Sequence, residues 1–271
     1  MKRIAEGRTA EIFQHHHESV IKLYRNGFPK EAIIYEYEIT KQVASLGISV
    51  PRANEFVEID GRVGISFEYI EGKPLLQKMV EHPQELDDFS EMLADMHVTL
   101  HRYEVPADER GKPFRKQKEV LAYNIHQAPQ LSTDEKNAIL QMLEVLPNGN
   151  RVCHGDFHPD NAMVGEKRWI IDWMTGMSGH PAGDITRTLL LFRYGTLPEA
   201  APSHVKDQLQ AMRKRMGEVY LTYYLAHSNL RLDEIDHWML PVAAARLTEW
   251  IPEEEKEQLR SMIRDRLKLR E

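Results

Sequence analysis

The chain has 271 residues, 42% apolar and 28% charged, the composition of an ordinary globular protein with ample material for a core. A formal net charge of −7 argues against nucleic acid or an anionic membrane as the main partner. The single cysteine, Cys153, excludes an intramolecular disulfide framework, and no apolar run approaches membrane-spanning length.

The N-terminus, Met-Lys-Arg-Ile-Ala-Glu-Gly, carries no apolar signal region, so a reducing cytoplasm is the expected location. Arg3 to Glu6 and Glu11 to Gln14 read as short strands around Gly7-Arg8-Thr9-Ala10. Backbone N–H groups of that turn, at Gly7 and Thr9, could meet phosphate oxygens; a plain hairpin turn is an equally good account. Ser19 to Tyr24 alternates apolar and polar side chains and reads as a third strand. Lys22 lies inside it, where a long ammonium side chain either snorkels to solvent or grips an anion such as phosphate.

A helix is expected from about Lys30 to Leu46, with Ile33, Ile34, Tyr37 and Val43 on its apolar side and Gly47 ending it. Glu55 to Ile59 and Val63 to Tyr69 form a hairpin through Asp60-Gly61. Its second strand runs through Phe67-Glu68-Tyr69-Ile70 into Glu71-Gly72-Lys73-Pro74. Gly and Pro break the strand there, which marks a boundary between residues 1–70 and 71–271.

Beyond that point the periodicity changes from 2 to 3.6. Leu86, Phe89, Leu93, Met96 and Leu100 make one buried helix stripe. His97 and His101 stand four apart on the same helix, but the Glu of a His-Glu-x-x-His zinc site is absent, so packing or hydrogen-bonding histidines are expected. Arg102 to Arg115 reads as a loop and residues 116–127 as a helix. The next helix opens with a Ser132-x-x-Glu135 capping box. After the central motif, Pro181 opens a helix through Phe192, and Ser203 to Ser228 reads as a long amphipathic helix. Leu232 to Glu271 reads as helical, charged and locally acidic.

The chemistry is concentrated between Val152 and Trp173. His154-Gly155-Asp156-Phe157-His158-Pro159-Asp160-Asn161 is a loop opened by an apolar Arg-Val-Cys strand, in which Cys153 packs as a small hydrophobe. Ala162 to Val164 and Trp169 to Ile171 flank a Gly-Glu-Lys-Arg turn as a hairpin, and Asp172 ends its second strand. Phosphoryl transfer needs a carboxylate that accepts a hydroxyl proton, and hard oxygen ligands for Mg²⁺. Asp156 suits the first role; Asn161 and Asp172 suit the second. His154, Asp156 and His158 could instead ligate a transition metal, but Asn161 and Asp172 have no place in such a site. His154 therefore reads as a structural residue that bonds the loop backbone.

His-Gly-Asp-Phe-His-Pro-Asp-Asn followed by Ile-Asp-Trp resembles the aminoglycoside phosphotransferase and choline kinase branch of the kinase-like fold, where other kinases carry His-Arg-Asp-x-x-x-x-Asn and Asp-Phe-Gly. The resemblance implies an α+β, two-lobed protein-kinase-like fold: a small antiparallel-sheet lobe with one helix, and a larger, mainly helical lobe. It implies ATP and Mg²⁺ as cofactors, Asp156 as catalytic residue, and Asn161 and Asp172 as metal ligands. Lys22 would hold the α- and β-phosphates, with Gly7 and Thr9 in the covering turn. A helix glutamate would hold Lys22; the family's spacing to Gly47 and Pro51 points to Glu36, with Glu38 as the alternative. At the hinge, adenine would bond the Glu68 carbonyl and the Ile70 N–H, with Phe67 behind it.

Asp184 either caps its helix or, as in the kinase-like fold, bonds back to the catalytic loop. The chain has no Ala-Pro-Glu peptide-substrate segment, which argues for a small hydroxylated acceptor such as an aminoglycoside, an amino alcohol or a sugar. A protein kinase, or a non-catalytic nucleotide-binding module, is the alternative. The acidic C-terminal helices suit a polycationic aminoglycoside and serve equally as a solubilising face.

Overall fold

A computed structural model of the protein describes residues 1–196 and 203–268. The end of the charged C-terminal stretch, 269–271, lies outside them. The chain opens with strands β1 (Lys2–Glu6), β2 (Ala10–His16) and β3 (Ser19–Tyr24), helix α1 (Lys30–Ser45), and strands β4 (Ala53–Ile59) and β5 (Arg62–Glu68). There follow β6 (Lys73–Pro74), α2 (Leu75–Glu81), α3 (Leu86–Leu100), β7 (Arg115–Lys116), α4 (Gln117–Gln127), α5 (Thr133–Val145) and β8 (Arg151–Cys153). The remainder is β9 (Ala162–Val164), β10 (Arg168–Ile170), β11 (Met177–Gly179), α6 (Pro181–Tyr194), α7 (Ser203–Ala226), α8 (Leu232–Arg246) and α9 (Glu253–Lys268). These elements divide into two compact units. One comprises Met1–Lys78, Val105–Phe114 and Pro159–Gly176; the other comprises Met79–Glu104, Arg115–His158 and Met177–Glu271.

The first unit is built on a five-stranded sheet in the order β1-β2-β3-β5-β4, with every neighbouring pair antiparallel. The Asp60-Gly61 turn joins β4 to β5 with φ of 52° and 74°. Both residues are left-handed, which is what the tight hairpin turn matching strand twist requires. Tyr24, Ile33, Ile65 and Phe67 pack with Ala10 and Ala53 as its core.

α1 departs from the expected pattern. Ile33 and Val43 are buried, but Ile34 is 52% exposed and Ile39 takes a buried place. The row Ile33, Glu36, Thr40 and Val43 runs along one helix face at steps of three and four. Glu36 on that row is 1% exposed, because Lys22 on β3 gives it a partner. The unit also holds a small sheet in the order β10-β9-β6.

The second unit is mainly helical. α3 packs on α7, α8 packs on α4 and α6, and a short sheet runs β7-β11-β8. The α3 stripe is Phe89, Leu93, Met96 and Leu100 as its periodicity requires, and His97 is buried with it. The α7 stripe is Met216, Tyr220 and Tyr224. The capping box of α5 is formed: Ser132 Oγ accepts the Glu135 N–H at 3.2 Å, and Glu135 accepts the Ser132 N–H at 2.7 Å. The C-terminal stretch is not one charged helix. α8 ends at Arg246, and a second helix starts at Glu253 directly after Pro252, a position where a missing N–H costs nothing. α8 contributes Ile235, Trp238, Leu240 and Ala243 to the core. Cys153 is fully buried, and burial pushes its thiol pKa up, so it packs and does not react.

Gly149 precedes β8 where the backbone after β11 runs close by. A Cβ there would sit 2.2 Å from the Gly179 carbonyl oxygen and 2.6 Å from the His180 Cα. Both are backbone atoms and cannot rotate away. Gly149→Ala is therefore expected to cost about 1–3 kcal/mol, as overpacking does. At about 2–4 °C per kcal/mol for a chain of this size, calorimetry should show a Tm lower by at least about 2 °C. An unchanged Tm would contradict this close approach.

Candidate active site

In the first unit a buried charge sets the geometry. Lys22 is 8% exposed, and burial alone would discharge it. Its Nζ instead donates to Glu36 Oε1 at 2.7 Å and to Asp172 Oδ1 at 3.0 Å. Burial works against the ammonium, but the Asp172 and Glu36 charges outweigh it, and the Lys22 pKa is raised. Tyr24, two residues along β3, donates its hydroxyl to Glu36 Oε2 at 2.6 Å. Burial raises the tyrosine pKa, so the phenol keeps its proton and acts as donor. Both carboxylate oxygens of Glu36 are thus engaged. Glu38, two positions along α1, is only half-buried.

Asp172 stands two residues beyond β10 with φ 64°, ψ 66°. Apart from Asp60 in its turn, it has the only positive φ of a non-glycine residue among the described residues. Asp tolerates this region better than most residues, but the conformation still costs energy unless neighbours hold it. Here Lys22 holds the side chain, and the preceding Ile171 donates its N–H to the Asn161 carbonyl at 3.0 Å. That bond ties Asn161, 7% exposed, to the strand that presents Asp172. Both residues belong to the same unit.

The Gly7–Ala10 turn closes as a hairpin. The Gly7 N–H is donated to the Ala10 carbonyl at 2.8 Å, so a phosphate contact from that amide requires this bond to open. Arg25 straps the turn through the carbonyls of Gly7, Arg8 and Thr9. At the end of β5, Phe67 is buried. Glu68 accepts the Arg52 N–H through Oε2 at 3.2 Å, and Ile70 is half-buried.

In the second unit, Asp184 organises the loop that carries Asp156. It reaches back, and its helix is capped by His180 instead. Asp184 Oδ2 accepts the His154 N–H and Oδ1 the Gly155 N–H, each at 2.7 Å. His97 Nε2 at 3.0 Å and His101 Nε2 at 3.1 Å also meet Oδ2, and Tyr220 and Tyr224 face the two Nδ1 atoms. Two imidazoles that donate from Nε2 and accept from tyrosine at Nδ1 satisfy every one of these contacts. Burial pushes the Asp184 pKa up, but these N–H donors outweigh it and hold the pKa well below the usual carboxylate range.

Gly155 has φ 78°, which lets the chain turn so that the Asp156 N–H meets His154 Nδ1 at 3.2 Å. His154 is fully buried and bonds the loop backbone, as its place in the motif implied. Among the described residues His154, Asp156 and His158 do not gather as metal ligands. His97, His101 and Asp184 do come together, but as the closed hydrogen-bond network just described.

The Asp156 carboxylate is one-third exposed. Its Oδ1 accepts from Arg187 on α6 at 3.0 Å, and Oδ2 lies 3.6 Å from His158 Nε2. Arg187 also bonds Glu249 at 2.6 and 2.8 Å, and Glu249 accepts from Arg246 at 2.8 Å. Sequence reasoning missed Arg187, Glu249 and Tyr24. For Arg187 a signal existed: it follows Asp184 by three on one helix, so the two share a face. Glu249 lies 62 residues from Arg187, and nothing in the sequence joins them.

The fold is the kinase-like one found in phosphotransferases. The chain belongs to the phosphotransferase enzyme family abbreviated APH, whose profile matches residues 1–219. A comparison with curated proteins found no match. Solved structures share the two-lobed α+β protein-kinase-like fold at low identity. A thermostable mutant of the aminoglycoside phosphotransferase APH(4)-Ia has a TM-score of 0.63 and 14% identity, covering 97% of this chain and 94% of that one. The ternary complex of APH(2")-IIa with streptomycin and ATP has a TM-score of 0.58 and 16% identity, covering 97% and 90%. Macrolide 2'-phosphotransferase MphH from Brachybacterium faecium has a TM-score of 0.53 and 15% identity, covering 91% and 83%. No helix among the described residues is long and apolar enough to cross a membrane.

The Asp184 cluster makes stability depend on pH. Burial first, and then the neighbouring His101, lower the His97 pKa from 6.5 to about 3. Between those values the unfolded chain binds a proton at His97 that the folded chain does not. Stability therefore falls as pH falls through this window, by up to about 1.4 kcal/mol per pH unit from this group. Urea midpoints measured at about pH 7, 6 and 5 should decline, and His97→Gln should flatten the decline. An equally steep decline in the variant would remove His97 as its source.

Proposed function

We propose that the protein is an ATP-dependent small-molecule kinase that transfers the γ-phosphate to a hydroxyl of an aminoglycoside-like, amino-alcohol or sugar acceptor. The observation that carries this is the triad of Lys22, Glu36 and Asp172: a charged lysine held at 2.7 and 3.0 Å between two carboxylates. A buried ion pair of this kind adds little net stability, so its retention points to use. The crystallised ternary complex of a relative with ATP and an aminoglycoside supports the same reading.

In this reading residues 1–70 form the nucleotide lid, and residues 71–271 carry catalysis and the acceptor site. Lys22 positions the α- and β-phosphates, and Glu36 keeps it in place. Gly7 and Thr9 lie in the turn over the phosphates; Phe67, Glu68 and Ile70 frame the adenine. Asn161 and Asp172 offer an amide and a carboxylate oxygen, the hard donors that Mg²⁺ prefers, and both stand on one unit. The bound ion would neutralise charge on the phosphates as the phosphoryl group moves. Asp156 accepts the hydrogen bond of the acceptor hydroxyl, orients it, and takes its proton. In this reading the enzyme works in the cytoplasm, where ATP is supplied.

The test is a coupled ADP-release screen over hydroxylated metabolites and antibiotics, with Asp156→Asn as the blank. At least one alcohol should stimulate release, and Asp156→Ala should lower that rate by about 10²–10⁴, the usual contribution of a general base. Thermal-shift measurements should show stabilisation by Mg–ATP that Asp172→Ala weakens and Asp156→Ala largely keeps. Near-wild-type turnover in Asp156→Ala would overturn the role of Asp156. Phosphorylation of proteins with no activity on alcohols would favour a protein kinase instead.

A further inference from the structure

The helix α6 acts twice on the catalytic loop. Asp184 takes the backbone N–H groups of His154 and Gly155, and one turn later Arg187 takes the side chain of Asp156. The spacing of three puts both residues on one helix face, so a single rigid element sets the path of the loop and the aim of its carboxylate. We infer that Arg187 is a positioning residue for Asp156, pinning its carboxylate as a fixed anion toward the acceptor hydroxyl. This rests on the reading of Asp156 as the group that meets the acceptor.

Arg187 is braced for that task. Its two terminal nitrogens bond Glu249 at 2.6 and 2.8 Å, while one of them also holds Asp156 at 3.0 Å. Glu249 is steadied by Arg246, and Arg246 by Glu255 at 2.7 Å. Glu255 in turn accepts the Thr196 N–H at 3.0 Å and its hydroxyl at 2.6 Å. Arg187 is 9% exposed, and its Nε–H is buried without a partner among the described residues. Leaving such a donor unmade costs about 1–3 kcal/mol. A pair serving stability alone has no reason to keep that pose; a pair that must aim one carboxylate does.

The groups that face Asp156 include Arg187, His158 at 3.6 Å, and the His154 ring that accepts its N–H, with Glu249 and Arg246 behind Arg187. Burial pushes the Asp156 pKa up, but the Arg187 charge and the His158 contact outweigh it, and the pKa lies below the usual carboxylate range. Asp156 therefore meets the acceptor as a fixed anion that orients the hydroxyl, and it takes the proton late, which suits a loose phosphoryl-transfer transition state.

The test reads Asp156 directly, by carbon-13 NMR of protein labelled at its aspartate carboxyls, with Asp156→Asn to assign the resonance. In Arg187→Met the Asp156 titration midpoint should rise by about 1–3 pH units, the effect of losing an adjacent cation. In Glu249→Gln it should not rise, because Arg187 keeps its charge and loses a competing carboxylate. In Arg187→Lys the midpoint should return most of the way, but the rate should not, since an ammonium lacks the fork. ADP release from Mg–ATP with water as acceptor should fall about 10–100-fold in kcat in Arg187→Met, with the KM for Mg–ATP unchanged.

An unchanged midpoint in Arg187→Met overturns the inference. So does an equal rise in Glu249→Gln, which would signify general loosening. If Arg187→Met fails to fold, the Lys and Gln variants decide. Absence of any ADP release from the wild type would defeat the kinase reading alone, while the titration still decides whether Arg187 governs Asp156.

Discussion

A charge taken out of water has to be met at hydrogen-bond distance by opposite charge or by N–H donors, and several buried charges of this chain show it. Lys22 is met by Glu36 and Asp172. Asp184 is met by two backbone amides and two imidazoles. Arg187 is met by Asp156 and Glu249. Each requirement fixes the local backbone more tightly than apolar packing does, since a hydrophobic contact survives small shifts and a buried ion pair does not. The α1 face shows the effect: it turns Glu36 inward at 1% exposure and leaves Ile34 52% exposed, because the lysine on β3 must be satisfied.

A chain with 15% identity to a solved phosphotransferase can share its fold, because a fold tolerates wide exchange of residues. Apolar positions exchange freely as long as volume and patterning persist. A charged partner cannot be exchanged one side at a time. Removing one member of a buried pair typically costs about 3–5 kcal/mol, whereas changes elsewhere cost less and accumulate. In this chain the apolar core of each unit is packed around a few such electrostatic contacts.

The helical unit adds a further layer. Asp184 fixes the His154–Gly155 backbone, and the imidazoles that support Asp184 come from α3, with tyrosines from α7 behind them. Three helices thereby converge on one short loop. Stability and loop geometry are joined there, and His97, held neutral by burial, is a group through which acid lowers stability.

Much of this was legible in the sequence because it is local. Strand alternation, the Asp60-Gly61 turn, the Ser132 capping box and the 3.6-residue stripe of α3 are each decided by neighbours within a few positions, and the helices and strands fall where those patterns put them. The His-Gly-Asp loop, with Asn161 and Asp172, is likewise a short string, and its resemblance pointed to the family whose profile matches the chain. What only the tertiary structure decided are the pairings over long separations: Lys22 with Asp172, 150 residues apart, and Arg187 with Glu249, 62 apart. It also decided that Asp184 grips the loop and that the charged C-terminal stretch splits into a core helix and a second one. The physical reason is that local propensity depends on the order of residues, whereas the partner of a buried charge depends on which distant element the fold brings within 3 Å.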